Sequence, residues 1–205
     1  MKTIKTFTLM LCIAAMGLAT ACSKDDNKDS GNSGNTGTIK DVATFNDLNT
    51  FIGRTDLDAL KTELRDAGYA LGGNAKDKYI EAEKRTLTTS TSYRFNVEDG
   101  MVIGAEFMYG EDGLRTSGKL KTVVLEKINE EKTFSAGKTL KRYKGFVYNG
   151  EGDQHSFTSR EEFVSWFTNA TLSSQIEGES ECEYQTYGTS VDIYPDDWAI
   201  SVELK

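Results

Sequence analysis

The sequence predicts an α+β fold: antiparallel sheet in hairpin runs, with about three helices, grouped as two α-then-β units in tandem. Three observations carry this reading. Segments rich in β-branched and aromatic residues follow one another across turn signals without alternating with helices, which is the order of hairpins. Capped segments with a 3.6-residue apolar period are few and precede the strand runs. Finally, TSYRFNVEDGMVIGAEF (91–107) and TSVDIYPDDWAISVEL (189–204) align with one gap at Gly100, and each closes on an apolar strand with Glu106 or Glu203 next to last.

The elements follow in order. A short helical turn is expected at Phe45–Ile52. The first full helix runs from Thr55, its N-cap, to about Ala67, with Asp56 and Asp58 at the positive end of the dipole and Leu57, Leu60, Leu64 and Ala67 on one face. Gly68 supplies a left-handed cap from which Tyr69 or Leu71 folds back. Strands are expected at Lys78–Leu87, Ser92–Val97 and Met101–Tyr109, the last two joined by the turn signal Asp99-Gly100. A middle helix spans about Gly118–Glu131, with Ser117 as N-cap and Leu120, Val124 and Ile128 as its apolar stripe. Arg142–Asn149 and Gln154–Thr158 flank the turn NGEGD.

The last helix opens on the capping box Ser159-Arg160-Glu161-Glu162. Phe163, Trp166, Phe167 and Ala170 then fall at i, i+3, i+4 and i+7, a stripe expected to enter the core. Strands at Glu181–Tyr187, Ser190–Tyr194 and Trp198–Leu204 end the chain, and Pro195, the sole proline, stands where a strand must stop. Two readings of this order stay open. Residues 41–110 and 141–205 are duplicated units joined by helix 118–131, or they are hairpins that share a common pattern.

Residues 1–21, MKTIKTFTLMLCIAAMGLATA, place Lys2 and Lys5 ahead of an apolar run from Phe7 to about Leu18, with small residues before Cys22. These are the flanks of a secretion signal. The junction Leu18-Ala19-Thr20-Ala21-Cys22 resembles the lipobox of bacterial lipoproteins, with Ala19 at −3, where Leu is usual, and Leu18 at −4. The resemblance implies cleavage before Cys22 and acylation of its thiol; the same small residues also suit ordinary cleavage after Ala21. SKDDNKD, which follows, resembles the acidic export signal of surface-exposed lipoproteins in one group of Gram-negative bacteria. Together these resemblances imply an outer-membrane, cell-surface address, with membrane lipid as a partner through acylated (palmitate-type) Cys22.

From Ser23 to Lys40 only Ile39 is a large apolar residue, so a flexible tether is expected. The organisation is therefore a signal at 1–21, the lipidated cysteine and tether at 22–40, and an α+β region at 41–205. Asp25, Asn27 and Asp29 alternate as in a calcium loop, but Ser30 stands where that loop needs glycine and Thr36 where it needs Glu. No metal site is expected there.

The chain carries 24 basic and 32 acidic residues, a net charge of −8; removing Lys2 and Lys5 with the signal leaves 22 against 32, or −10. This balance excludes a nucleic-acid partner bound through its phosphates, which requires clustered cations.

Two stretches approach the phosphate loop GxxxxGK[ST]. In GLRTSGKL the hydroxyl position is Leu120, and in the second, ending SAGKT, the first glycine position is Lys132. Leu120 instead begins a core stripe, so no nucleotide and no cofactor is expected. The single histidine, His155, cannot form a metal cluster. Cys182 lies between Glu181 and Glu183, whose charge opposes a thiolate, and reads as a small buried residue in place of a nucleophile paired with His155. Asp196-Asp197 and Glu98-Asp99 read as solvated turn residues, and the N-glycosylation pattern at Asn169 is set aside because it ends a helix.

The sequence therefore supports a lipid-anchored surface module that binds a protein or glycan without catalysis, and no catalytic residue is assigned. The alternative is a small secreted hydrolase using dispersed carboxylates, which requires a cleft holding two close acids, one with a raised pKa.

Overall fold

The computed structural model describes residues 37–72, 78–149, 153–172, 176–184 and 187–205. The signal, Cys22, the acidic segment and the calcium-like spacing lie outside the described residues.

Among the described residues four helices and nine strands follow in the order α1 (Phe45–Asn49), α2 (Leu57–Asp66), β1 (Ala70–Leu71), β2 (Tyr79–Arg85), β3 (Thr89–Glu98), β4 (Met101–Glu111), α3 (Lys119–Phe134), β5 (Leu140–Asn149), β6 (Asp153–Phe157), α4 (Arg160–Asn169), β7 (Ile176–Tyr184), β8 (Tyr187–Ile193) and β9 (Asp197–Leu204). Helix and antiparallel sheet are both present, and strand dominates. The short β1 was not expected from the sequence, and β7 begins five residues earlier than its apolar content suggests.

Local chemistry explains most boundaries. Thr44 and Asp47 cap α1 reciprocally: the Asp47 N–H donates to Thr44 Oγ1 at 3.1 Å, and the Thr44 N–H donates to Asp47 Oδ2 at 3.0 Å. The N-cap of α2 is Asp56 and not Thr55, and its side chain does not cap; the carboxylate is held by Arg54 at 2.6 Å. Gly68, at φ 86°, ends α2, and the Tyr69 N–H donates back to Leu64 O at 2.9 Å, which folds the Tyr69 ring into the core.

At α3 the flanking position is Gly118, at φ 77°, and not Ser117. The Ser117 hydroxyl is used within the preceding run of turns, donating to Leu114 O, while left-handed Gly118 lets the Leu120 N–H reach Leu114 O. Ser159 caps α4 as expected, accepting from the Glu162 N–H at 3.2 Å. The return bond is displaced by one residue, since the Glu162 carboxylate accepts from the Thr158 N–H and hydroxyl.

All the described strands belong to one antiparallel sheet in the order β1-β2-β3-β4-β9-β8-β7-β5-β6. Its rungs sort side chains by face. One rung runs Ala82, Tyr93, Phe107, Ile200, Val191, Ser180, Gly145, Phe157, and the next runs Ile80, Phe95, Ala105, Val202, Thr189, Cys182, Tyr143. These rungs face the helices, whose Phe45, Leu48, Leu60, Leu64, Leu120, Val124, Phe163 and Phe167 are fully buried against them. Each such side chain contributes about 1.5–3 kcal/mol by leaving water. Tyr93 sits at the centre of the aromatic contacts, with Phe107 at 5.1 Å and Tyr69 at 5.5 Å.

The two halves meet where β4 pairs with β9, Ala105 opposite Val202. Their hairpins differ in register. Glu106 lies opposite Arg94, whereas Glu203, its counterpart in the sequence alignment, lies opposite Gly188 and not opposite Asp192.

Candidate functional site

The described helices cover one face of the sheet, and no described helix covers the other. Its central rung is Glu81, Arg94, Glu106, Ser201, Ser190, Glu181, Lys144. Small residues make the floor: Ser190 and Ser201 share a hydrogen bond at 2.8 Å, and Gly104, Gly188 and Ala199 are buried beneath their neighbours. At one side Glu181 and Glu183 each accept from Arg142 and Lys205 at 2.7–3.3 Å. Lys205 lies flat across Gly188 to do so, and a Cβ there would meet its Cε at 2.6 Å. Glu106 occupies the middle. Burial pushes its carboxyl above the usual carboxylate range, against the pull of Arg94, and it has no hydrogen-bond partner among the described residues.

A second feature lies at the sheet edge. Strand β6 is the last in the order, and α4 stands beside it. Phe157, Glu161, Glu162, Ser165, Trp166, Asn169 and Ala170 line a recess of about 810 Å³. The stripe expected to enter the core is therefore divided: Phe163 and Phe167 are fully buried, whereas Trp166 is half-buried and lines the recess. His155 is exposed, with its ring 5.0 Å from that of Trp166.

The third is a polar cleft of about 210 Å³ beside the β2–β3 turn, lined by Arg85, Ser90, Glu111, Asp112, Asp196 and Asp197 among others. Burial, and then the charge of Asp196, raise the Asp197 carboxyl. Asp196 accepts from the Arg115 N–H at 3.2 Å, and Glu111 is held below the usual range by Lys119 at 2.7 Å and by the Tyr109 hydroxyl. Asp196 and Asp197 are thus not simply solvated turn acids. Glu98 and Asp99 are exposed at the β3–β4 turn.

The remaining sequence candidates separate. Cys182 is buried on β7, and β5 stands between it and His155 on β6, so the pair does not form a dyad. Burial, and then Glu131, push the thiol up to about 12. Lys119 of the first phosphate-like stretch is paired with Glu111, and Leu120 behind it is fully buried. In the second stretch the Lys138 ammonium lies 4.8 Å from the Phe134 ring centre. Asn169 is exposed at the end of α4 and donates to Ser165 O. Among the described residues no group of three His, Cys, Asp or Glu is placed to hold a metal, and no helix is long and apolar enough to cross a membrane.

One cluster escaped the sequence reading. Arg160 and Glu131, both buried, meet through two bonds at 2.6 and 2.9 Å, and Thr189 donates to the other Glu131 oxygen at 3.1 Å. The signal was present, since Glu131 lies three residues beyond Ile128 on the stripe of Leu120 and Val124. Comparison with protein-family models, curated proteins and solved structures returns no match to this chain.

Proposed function

We propose that this chain is a lipid-anchored surface protein of the outer membrane that serves as a non-catalytic binding or accessory module, with a protein ligand docked on the uncovered face of the sheet. The observation that carries this is the open face itself. It is rigid because a dense core backs it, floored by small residues, and bordered by paired charges that hold their positions. Glu106 at its centre suits a ligand surface that presents a cationic side chain. The anchor rests on the lipobox-like junction before Cys22 and the acidic run after it. The two-unit reading rests on the aligned stretches 91–107 and 189–204, which meet side by side at β4 and β9.

Two experiments test the proposal. A photo-crosslinking residue at Ser201 in intact cells is expected to give a discrete adduct, and the same residue at Lys61 on α2 is expected to give none. Equal labelling from both positions, or none from either, would count against the docking face. Mass spectrometry of the mature N-terminus is expected to show acyl mass in the wild type and not in Cys22→Ala; an unmodified terminus in both removes the anchor.

A second reading, a carboxylate hydrolase, is favoured by one observation: Asp197, raised by burial, shares a cleft with Asp196. It predicts release of reducing ends from a polysaccharide mixture that disappears in Asp197→Asn. Glu106 is not the partner acid, because it lies four residues along β4 from Gly110, which pairs with Asp197. That spacing is roughly 13 Å at about 3.3 Å per residue, beyond the roughly 5–10 Å that glycoside chemistry uses.

A further inference from the structure

We infer that the edge of β6 that no described strand pairs and the adjoining face of α4 form a trough for an extended peptide segment of a partner protein. The segment adds as a tenth strand, with an apolar side chain against Trp166 and Lys or Arg side chains beside Glu161 and Glu162. This surface is separate from the uncovered sheet face, and its test depends on neither that face nor the anchor.

The backbone supplies the first argument. Strand β6 pairs with β5 on one side, from Gly145 opposite Phe157 to Asn149 opposite Asp153. No strand pairs with its other side among the described residues. Such an edge presents alternating N–H and C=O groups, and proteins usually blunt it with proline, lysine or a very short strand. The opposite edge, β1, is blunted in this way, being two residues long. The β6 sequence Asp-Gln-His-Ser-Phe contains neither proline nor lysine.

The side chains supply the second. Phe157 and His155 project from β6 toward α4, where their rings meet that of Trp166 at 5.4 and 5.0 Å. A strand placed the usual ~4.8 Å beyond β6 continues those rungs, so its alternate side chains point into the recess and the others into solvent. The Trp166 ring rests on other aromatic rings, and its indole N–H has no hydrogen-bond partner among the described residues.

Charge selects the occupant. Glu161 and Glu162 line the recess, and no cationic side chain is among its described lining. Both carboxyls are held below the usual range, Glu161 by its own N–H and then Lys132, and Glu162 by the Thr158 N–H and hydroxyl. A segment whose recess-facing positions, every second residue, carry both apolar and Lys or Arg side chains complements this lining. A second copy of the chain does not, because twofold pairing of two β6 edges brings four carboxylates together between molecules of net charge −8. A glycan could use the Trp166 ring but would leave the backbone edge unused.

The test pans a displayed library of random octapeptides against the mature chain carrying Cys22→Ser. Selected peptides are expected to carry an apolar residue and Lys or Arg at i and i+2, on one strand face, and to shift the Trp166 indole N–H resonance. Their affinity is expected to fall about tenfold or more when alternate peptide nitrogens are methylated, which removes strand pairing while keeping side chains. A similar loss is expected in Ser165→Arg, which fills the recess from an exposed position without altering the core. The inference is overturned if no sequence is enriched, or if N-methylation leaves affinity unchanged. It is overturned equally if maltoheptaose moves the Trp166 resonance at lower concentration than the selected peptides, or if sedimentation shows a dimer that Ser165→Arg dissociates.

Discussion

Cys182 stands between two glutamates in sequence, yet neither governs its thiol. Glu181 and Glu183 point to the open face, where Arg142 and Lys205 hold them, and Cys182 points inward to Arg160 at 3.5 Å. Strand alternation separates neighbours in sequence onto opposite faces. The acid that raises the thiol is Glu131, brought by α3 from 51 positions away. With the thiol at about 12, native Cys182 carries almost no thiolate at pH 8. A thiol reagent is therefore expected to label it, in a Cys22→Ser background, at the rate of global unfolding. Rapid labelling of the folded protein contradicts this.

Glu106 carries the opposite kind of prediction. Its folded-state pKa is raised by burial, so the folded state binds the proton more tightly than the unfolded chain. The ionised form then destabilises the fold at neutral pH, and that penalty is relieved as pH falls through the folded-state value toward the ordinary 4.5. Glu106→Gln is expected to raise the urea midpoint at pH 7–8 and to leave it unchanged below about pH 4. A midpoint lowered at neutral pH would mean that the attraction of Arg94 outweighs desolvation. Glu106 was visible in the sequence as one of a matched pair with Glu203. Its central position was not, because that depends on which strands pair.

At the scale of elements, caps and stripes were the legible features. The Ser159 cap, the left-handed Gly68 and the stripe Leu120-Val124-Ile128 each rest on residues within a few positions of one another. Thr55 and Ser117 each stand one residue before the observed cap. Arg54 takes the Asp56 carboxylate, and the Leu114 carbonyl takes the Ser117 hydroxyl. Helices α3 and α4 are joined by the Glu131–Arg160 pair, which sits among Thr189, Ser135 and Cys182. Glu131→Ala strands a buried guanidinium and is expected to cost about 3–5 kcal/mol. The double variant Glu131→Ala/Arg160→Ala is expected to cost clearly less than the sum of the two single changes, as measured by urea unfolding. Strict additivity would mean that the two side chains do not depend on each other.

For the whole molecule, the decisive contact is β4 with β9. It joins strands about 95 positions apart and completes a core in which Phe107 meets Trp198 at 5.8 Å. Lys127 from α3 adds to the closure, reaching Ala43 O at 3.0 Å and lying 5.1 Å from the Trp198 ring. Residues 37–139 alone would expose the β4 edge and lose Trp198, Ile200 and Val202 from the core. They are expected to give no cooperative thermal transition and poorly dispersed amide resonances. A well-dispersed spectrum from that piece would make the two halves independent folding units.

The sequence by itself determined where most strands lie, which of their residues face inward, where the chain turns at Asp99-Gly100, and how α4 begins. Periodicity, propensity and turn chemistry act over a few residues, so contiguous sequence is enough to read them. Tertiary structure decided the order of strands, the sheet face that no described helix covers, the β6 edge that no described strand pairs and that has Trp166 beside it, the burial of Glu131 with Arg160, and the cleft around Asp197. Each of these depends on contacts between distant segments, whose net gain over chain entropy no local pattern encodes.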